Sequence, residues 1–199
     1  MVGPVAREIE LFFDIGSSYS YLAATQMAGL TARTGVPVRW RPFLLGAVFK
    51  ATTNDTPARV PAKARYLLAD MARWSAHYGV PFKLPSRFPV LTLRAQRALT
   101  AAPEAAIPAM ALSLFRAYWA EDQDPTTDAA ITAAARVAGA DAETILGAIE
   151  HQSTKDRLRA TTDEAVARGA FGAPSMFVGE ALFWGNDRIP LLEAHLAAP

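Results

Sequence analysis

The run IELFFDIGSSYSYLA, residues 9–23, decides how the fold of this chain is read. Its first seven residues are almost wholly apolar and are stopped by Gly16 and two serines, the pattern of a buried strand, with a parallel strand the natural expectation. Beyond the serines, YSYLAATQMAGLTART sets Tyr21, Leu22, Ala28 and Leu30 at helical spacing. Gly35 then stands where a left-handed glycine ends a helix. VPVRWRPFLL, residues 36–45, alternates apolar with basic side chains and reads as a second strand. The opening unit is therefore β-α-β.

Downstream, from about Val60 to Arg168, the periodicity is helical and no strand pattern stands out. Pro61 opens PAKARYLLADMARWSAHY and Gly79 closes it. Within residues 105–119, Ala111, Leu114, Phe115 and Tyr118 form a core-facing stripe. Further helices are expected over 127–138, 141–151 and 153–168, the last with Ser153 and Asp156 as a loose capping box. PSMFV (174–178) and EALFW (180–184), separated by Gly179, predict an antiparallel hairpin. GNDRIPLLEAHLAAP reads as a closing helix capped by Asn186 or Asp187, with Pro190 in its first turn and Leu191, Leu192 and Leu196 on one face. The order β-α-β, helices, β-β-α is that of an α/β thioredoxin-like domain (1–59 and 169–199) interrupted by an all-helical inserted domain (60–168).

Composition narrows the chemistry. The 199 residues include no cysteine, which removes disulfide scaffolds, dithiol redox enzymes and thiolate nucleophiles. Lys and Arg number 20 against 19 Asp and Glu, so there is no basic excess to capture nucleic acid. His77, His151 and His195 lie far apart and show no metal-ligand spacing. MVGPVAREIE lacks a leader pattern, and no run approaches the roughly 18 apolar residues of a membrane span. The expectation is a soluble cytoplasmic protein with neither nucleic-acid nor membrane partners.

That fold order brings three segments together at strand ends and helix N-termini, where ligands collect in open α/β sheets: the turn with Ser17, the Ala173-Pro174 turn and the helix start at Asn186-Asp187. On position alone each has an ordinary explanation. Ser17 is an N-cap, Ala173-Pro174 a turn before a strand, and Gly185 to Asp187 a helix start, with Arg188 either paired to Asp187 or solvated. Lys50 and Asn54 fall in KATTNDTPARVPAK, whose composition is that of an exposed connector. Ser20, one turn into its helix, is expected to bond the preceding backbone. Trp74, Tyr78, Phe82 and Phe88 suit either an aromatic pocket or the core.

FDIGSSYSYLA resembles the FDxxSPxSYLA signature of the kappa-class glutathione transferases and 2-hydroxychromene-2-carboxylate isomerases. FLLGAVFKATTND, VPAKARYLL, HYGVPFKLPSRFP, FGAPSMFV and LFWGNDRI resemble the segments that follow it, in family order, over nearly the whole chain. The likeness is nearer the isomerase branch. It implies glutathione as cofactor, with Ser17 donating to its thiolate and a cis Ala173-Pro174 bond presenting the Ala173 backbone to pair with the tripeptide. It implies further that Gly185, Asn186 and Asp187 hold the γ-glutamyl end. Lys50 and Asn54 would reach the substrate or glutathione, and Lys63 the glycyl carboxylate. The substrate implied is a small aromatic acid and the assembly a homodimer. Ser18 departs from the family's proline, which bears on the stiffness of the turn.

The reaction implied interconverts 2-hydroxychromene-2-carboxylate and trans-o-hydroxybenzylidenepyruvate by thiolate addition, bond rotation and elimination. Its electrostatic demand is modest. Lowering a thiol's pKa from about 8.5 by about two units takes roughly 2.7 kcal/mol. One hydrogen bond to a charged acceptor supplies about 1.5–3 kcal/mol, and a helix N-terminus adds about 0.3–1. A kappa-type transferase and a non-catalytic thiol- or peptide-binding module are the alternatives. A disulfide oxidoreductase is removed by Ser17-Ser18-Tyr19-Ser20, where cysteines would stand.

Overall fold

Strand β1 (Ile9–Phe13) carries the sheet: β2 (Val38–Pro42) pairs with it in parallel and β3 (Ser175–Val178) pairs antiparallel on its other side. Beyond β3 the antiparallel β4 (Ala181–Trp184) completes the order β2-β1-β3-β4 in this computed structural model, which describes residues 7–198. Helix α1 (Ser18–Thr34) links β1 to β2 and ends at the left-handed Gly35. Between β2 and β3 come α2 (Leu45–Thr52), α3 (Pro61–Tyr78), α4 (Leu93–Ala101), α5 (Ile107–Trp119), α6 (Asp128–Val137), α7 (Ala142–Ala148) and α8 (Gln152–Ala167). Helix α9 (Ile189–Ala197) closes the fold.

Strand alternation divides the core. Leu11, Phe13, Trp40 and Met176 face α1 and α5 and share one apolar cluster with Phe115, Trp119, Ile131 and Ile145. Helices α4 to α7 therefore pack apolar side chains into the same core as this face of the sheet. On the other face Phe12, Phe43 and Phe177 pack with Val48 of α2 and Ala165 of α8. That face is bordered by charge: Glu10 pairs with Arg41 and Arg168, and Glu164 of α8 pairs with both arginines. The Arg168 guanidinium lies 4.1 Å from the centre of the Phe177 ring, so the ions pin α8 to the sheet while their planes cover aromatic carbon.

Several expectations need correction. The second strand stops at Pro42 rather than Leu45, because the Leu45 N–H is taken by the Asp14 carboxylate at 2.9 Å and opens α2 instead. Helix α2 thus occupies what reads as strand end and connector. Helix α4 was not anticipated: its LRAQRALTA is short, and its buried face is made of Ala95, Gln96 and Ala98 with Leu99 as its single large apolar side chain. The expected box at Ser153 does not form, since Asp156 accepts instead from Gln152 Nε2 at 2.8 Å. Asn186 and Asp187 do not cap α9. They lie in a 3-10 turn, Asn186–Arg188, which leads directly into it. Leu191 is 57% exposed, while Leu192 of the same helix is fully buried.

Candidate functional site

The turn between β1 and α1 presents Ser17 as a helix N-cap: its backbone is extended and its Oγ accepts the Ser20 N–H at 3.1 Å. The same hydroxyl donates its proton to the Ala173 carbonyl oxygen at 3.1 Å. One side chain thus both caps α1 and reaches the opposite loop. The amides of Ser18 and Tyr19, in the first turn of α1, find no acceptor among the described residues. Ser20 departs from expectation: its hydroxyl is fully buried and has no hydrogen-bond partner among the described residues.

The Ala173–Pro174 peptide bond is cis. Around it, four consecutive carbonyls are claimed by four different donors. Asn54 Nδ2 donates to the Phe171 oxygen at 2.9 Å, and Ser175 Oγ to that of Gly172 at 2.9 Å. Ser17 donates to Ala173, and the Gly185 amide donates to Pro174 at 3.1 Å. The expectation of an open Ala173 edge is corrected accordingly. Its carbonyl is occupied by Ser17, whereas its N–H has no acceptor among the described residues. Gly172 is tightly fixed as well, since a Cβ there would lie 2.5 Å from Trp184 Nε1.

Gly185 takes φ 103°, a conformation that favours glycine, and a Cβ at this position would oblige the Asp187 side chain to shift. Asp187 pairs with Arg188 at 2.9 Å, which resolves the alternatives left open by the sequence. Asn186 is buried, and its carbonyl accepts from the Tyr78 hydroxyl at 3.3 Å. Tyr19 donates to Asp70 at 2.7 Å. Burial pushes the phenols of Tyr19 and Tyr78 upward; the neighbouring Asp70 pushes Tyr19 further, and Asp187 adds to both.

A cavity of about 1070 Å³ opens beside the β1–α1 turn. Asp14 and Gly16 reach into it from the turn, Phe49 and Lys50 from α2, and Phe88 and Leu91 from the segment before α4. Asn54 lies at its edge. Lys50 makes no ion pair among the described residues. Lys63 is placed apart, on a smaller hollow of about 370 Å³ with Tyr19, Tyr66 and Leu67. The four aromatic candidates divide. Phe88 lines the large cavity, Phe82 packs on Trp119 with ring centres 6.2 Å apart, and Trp74 and Tyr78 lie against each other on α3.

Asp14 was missed by sequence reasoning. It is 3% exposed, and burial pushes its carboxyl upward against three hydrogen bonds that favour the anion. An aspartate interrupting an apolar strand just before the turn was the signal available in IELFFDIG.

The profile of the DSBA-like thioredoxin domain matches residues 8–197. The chain belongs to this family. The DSBA-like chain is 31% identical over 194 residues to a protein named 2-hydroxychromene-2-carboxylate isomerase from Sphingobium xenophagum, a match covering 96% of this chain and 99% of that one. It is 32% identical over 207 residues to glutathione S-transferase kappa 1 of Rattus norvegicus, covering 96% and 91%. The solved structure of a 2-hydroxychromene-2-carboxylate isomerase superposes with a TM-score of 0.86 at 27% identity, over 94% of this chain and 93% of that one. Within the DSBA-like thioredoxin family, its relatives thus include isomerases and glutathione transferases, and its thioredoxin-like fold has serine at position 17 and no cysteine.

Proposed function

We propose that this chain is a glutathione-dependent isomerase of small aromatic acids, interconverting 2-hydroxychromene-2-carboxylate and trans-o-hydroxybenzylidenepyruvate. The observation that carries the reading is the Ser17 hydroxyl at the N-terminus of α1, held 3.1 Å from the loop it would share with a bound tripeptide. The donor set fits such a ligand. The amides of Ser18, Tyr19 and Ala173 all lack acceptors among the described residues, a surplus of donors suited to an anion and a peptide carbonyl. When bound, glutathione supplies a thiolate able to add reversibly to a conjugated double bond, so that the bond becomes single and can rotate.

The residues of the chain then have separable parts. Ser17 gives its proton either to the Ala173 carbonyl or to sulfur, and turning to sulfur exchanges a neutral bond of about 0.5–1.5 kcal/mol for a charged one of about 1.5–3. The carbonyl of Ala173, once released, is free to accept an amide proton from the ligand backbone. Asn54, bonded to Phe171, keeps the loop in place while this happens. Lys50, on the wall of the large cavity, meets the carboxylate of the acid, and Phe49, Phe88 and Leu91 give its ring an apolar surround.

The test is to incubate the protein with glutathione and 2-hydroxychromene-2-carboxylate, to follow conversion to the isomer by absorbance and to weigh the product. Isomerisation leaves the mass of the acid unchanged. A kappa-type transferase, the second reading, has the support of the 32% identical transferase and yields an adduct heavier by the tripeptide. Binding of glutathione without turnover of the acid identifies a carrier.

A further inference from the structure

The proposed chemistry leaves Asp14 without a part, yet few residues are tied to so many elements. Its Oδ1 accepts from the Gly16 amide at 2.9 Å, inside the β1–α1 turn, and from the Thr92 hydroxyl at 2.6 Å, immediately before α4. Its Oδ2 accepts from the amide of Leu45, the first residue of α2, at 2.9 Å. Its backbone carbonyl accepts from the Ser17 amide at 2.9 Å. A single residue therefore joins the turn that carries Ser17 to both walls of the large cavity: α2, with Lys50, and the segment with Phe88 and Leu91.

A carboxylate suits this place better than an amide. Two of its three donors are backbone N–H groups at helix or turn starts, and an asparagine would turn an NH2 toward one of them. The arrangement carries a cost, since a buried carboxyl with no cation beside it is poorly solvated. Packing around it is close, because a Cβ on Gly16 would lie 3.2 Å from Thr92 Cγ2.

We propose that Asp14 is a positioning residue for capture of the acid substrate: it fixes the starts of α2 and α4 against the β1–α1 turn and so sets the separation between Ser17 and Lys50. The role rests on the glutathione-isomerase reading. Recognition of glutathione is independent of the Asp14 side chain, because Ser17 is also held by its bonds to Ser20, Tyr21 and Ala173 and by the backbone carbonyl of Asp14. The consequence is an asymmetric defect when the side chain is changed.

The wild type is assayed first, then Asp14→Asn and Thr92→Val, each by steady-state kinetics, glutathione calorimetry and amide hydrogen exchange. Asp14→Asn is expected to raise KM for the acid about tenfold, the scale of a small misplacement, with glutathione Kd within about twofold of wild type. Thr92→Val, which leaves the carboxylate and two of its bonds, shifts KM in the same direction by less, and carries the test if Asp14→Asn does not fold. The Leu45 amide exchanges faster in both. A residue that merely stabilises the fold lowers kcat with the fraction folded and leaves KM unmoved. An unchanged KM for the acid, or a glutathione Kd weakened by the same factor, overturns the assignment. Should wild type show neither glutathione binding nor isomerisation, the functional reading fails by itself, and unaltered Leu45 exchange in the variants overturns the coupling separately.

Discussion

Ser17 Oγ donates to the carbonyl oxygen of Ala173 at 3.1 Å, joining two residues 156 positions apart in the chain. The hydroxyl thus has an employer before any ligand arrives, and its chemistry is an exchange of partners. Removing it has two opposite effects on the site.

Ser17→Ala should fold, with stability reduced by about 1 kcal/mol for the lost N-cap. Affinity for glutathione should stay within about threefold of wild type, because the Ala173 carbonyl is released to the ligand as the donor is lost. Turnover at pH 7 should fall about 25-fold, as the bound thiol titrates about two units higher, near 8.5 instead of about 6.5. Calorimetry and a pH titration of thiolate absorbance check the two halves independently, and an unshifted thiol titration would remove Ser17 from the mechanism.

Lys50→Ala and Lys63→Ala should separate, because the two lysines line different cavities. Loss of Lys50 should raise KM for the aromatic acid about tenfold, the value of one exposed charge-assisted bond. Loss of Lys63 should leave that KM unchanged. Equal effects from both would contradict the placement of the acid in the larger cavity.

Gly172→Ala forces a Cβ to within 2.5 Å of Trp184 Nε1, and the indole must move. Overpacking of this kind costs about 1–3 kcal/mol. Trp184 is 47% exposed and lies tilted against Phe171 with ring centres 4.7 Å apart, so its fluorescence should change together with glutathione affinity. Unaltered emission would show that the loop absorbs the methyl elsewhere.

The pH dependence of stability carries the mark of Asp14. Burial raises its carboxyl above the value of 3.8 expected in the unfolded chain, so the folded state holds the proton more tightly. Stability from this group is therefore fully present at acid pH and is lost as pH rises through the raised value. The Tm of wild type minus that of Asp14→Asn should shrink as pH goes from about 4 to about 8. Other carboxylates held low by partners, such as Asp122 and Glu150, act in the opposite sense in both proteins and cancel in the difference.

Strand alternation and helix punctuation were legible wherever apolar periodicity and a cap coincided. IELFFDI, the glycine at 35, Pro61 with Gly79, and the hairpin about Gly179 all lie where the sequence puts them. Helix α2 was not, because LGAVFKAT has no N-capping side chain of its own; its first amide is satisfied from Asp14, 31 residues earlier. Helix α4 escaped for a related reason, as its most buried polar residue, Gln96, serves the Phe13 and Phe43 carbonyls of distant segments. In the site, the residues drawn together by topology could be named in advance, but not their partners. Asn54 bonding Phe171, and Ser17 bonding Ala173, are tertiary choices that no local pattern encodes.

The four carbonyls from Phe171 to Pro174 draw their donors from the end of α2, the start of α1, the start of β3 and the end of β4. A loop held in this way is not a portable module. Grafting residues 171–174 into a relative, or recombining two relatives at the boundaries of α8 and β3, transfers the acceptors and leaves the donors behind. A chimera should keep the loop's shape only when residues 17, 54, 175 and 185 come from the same parent.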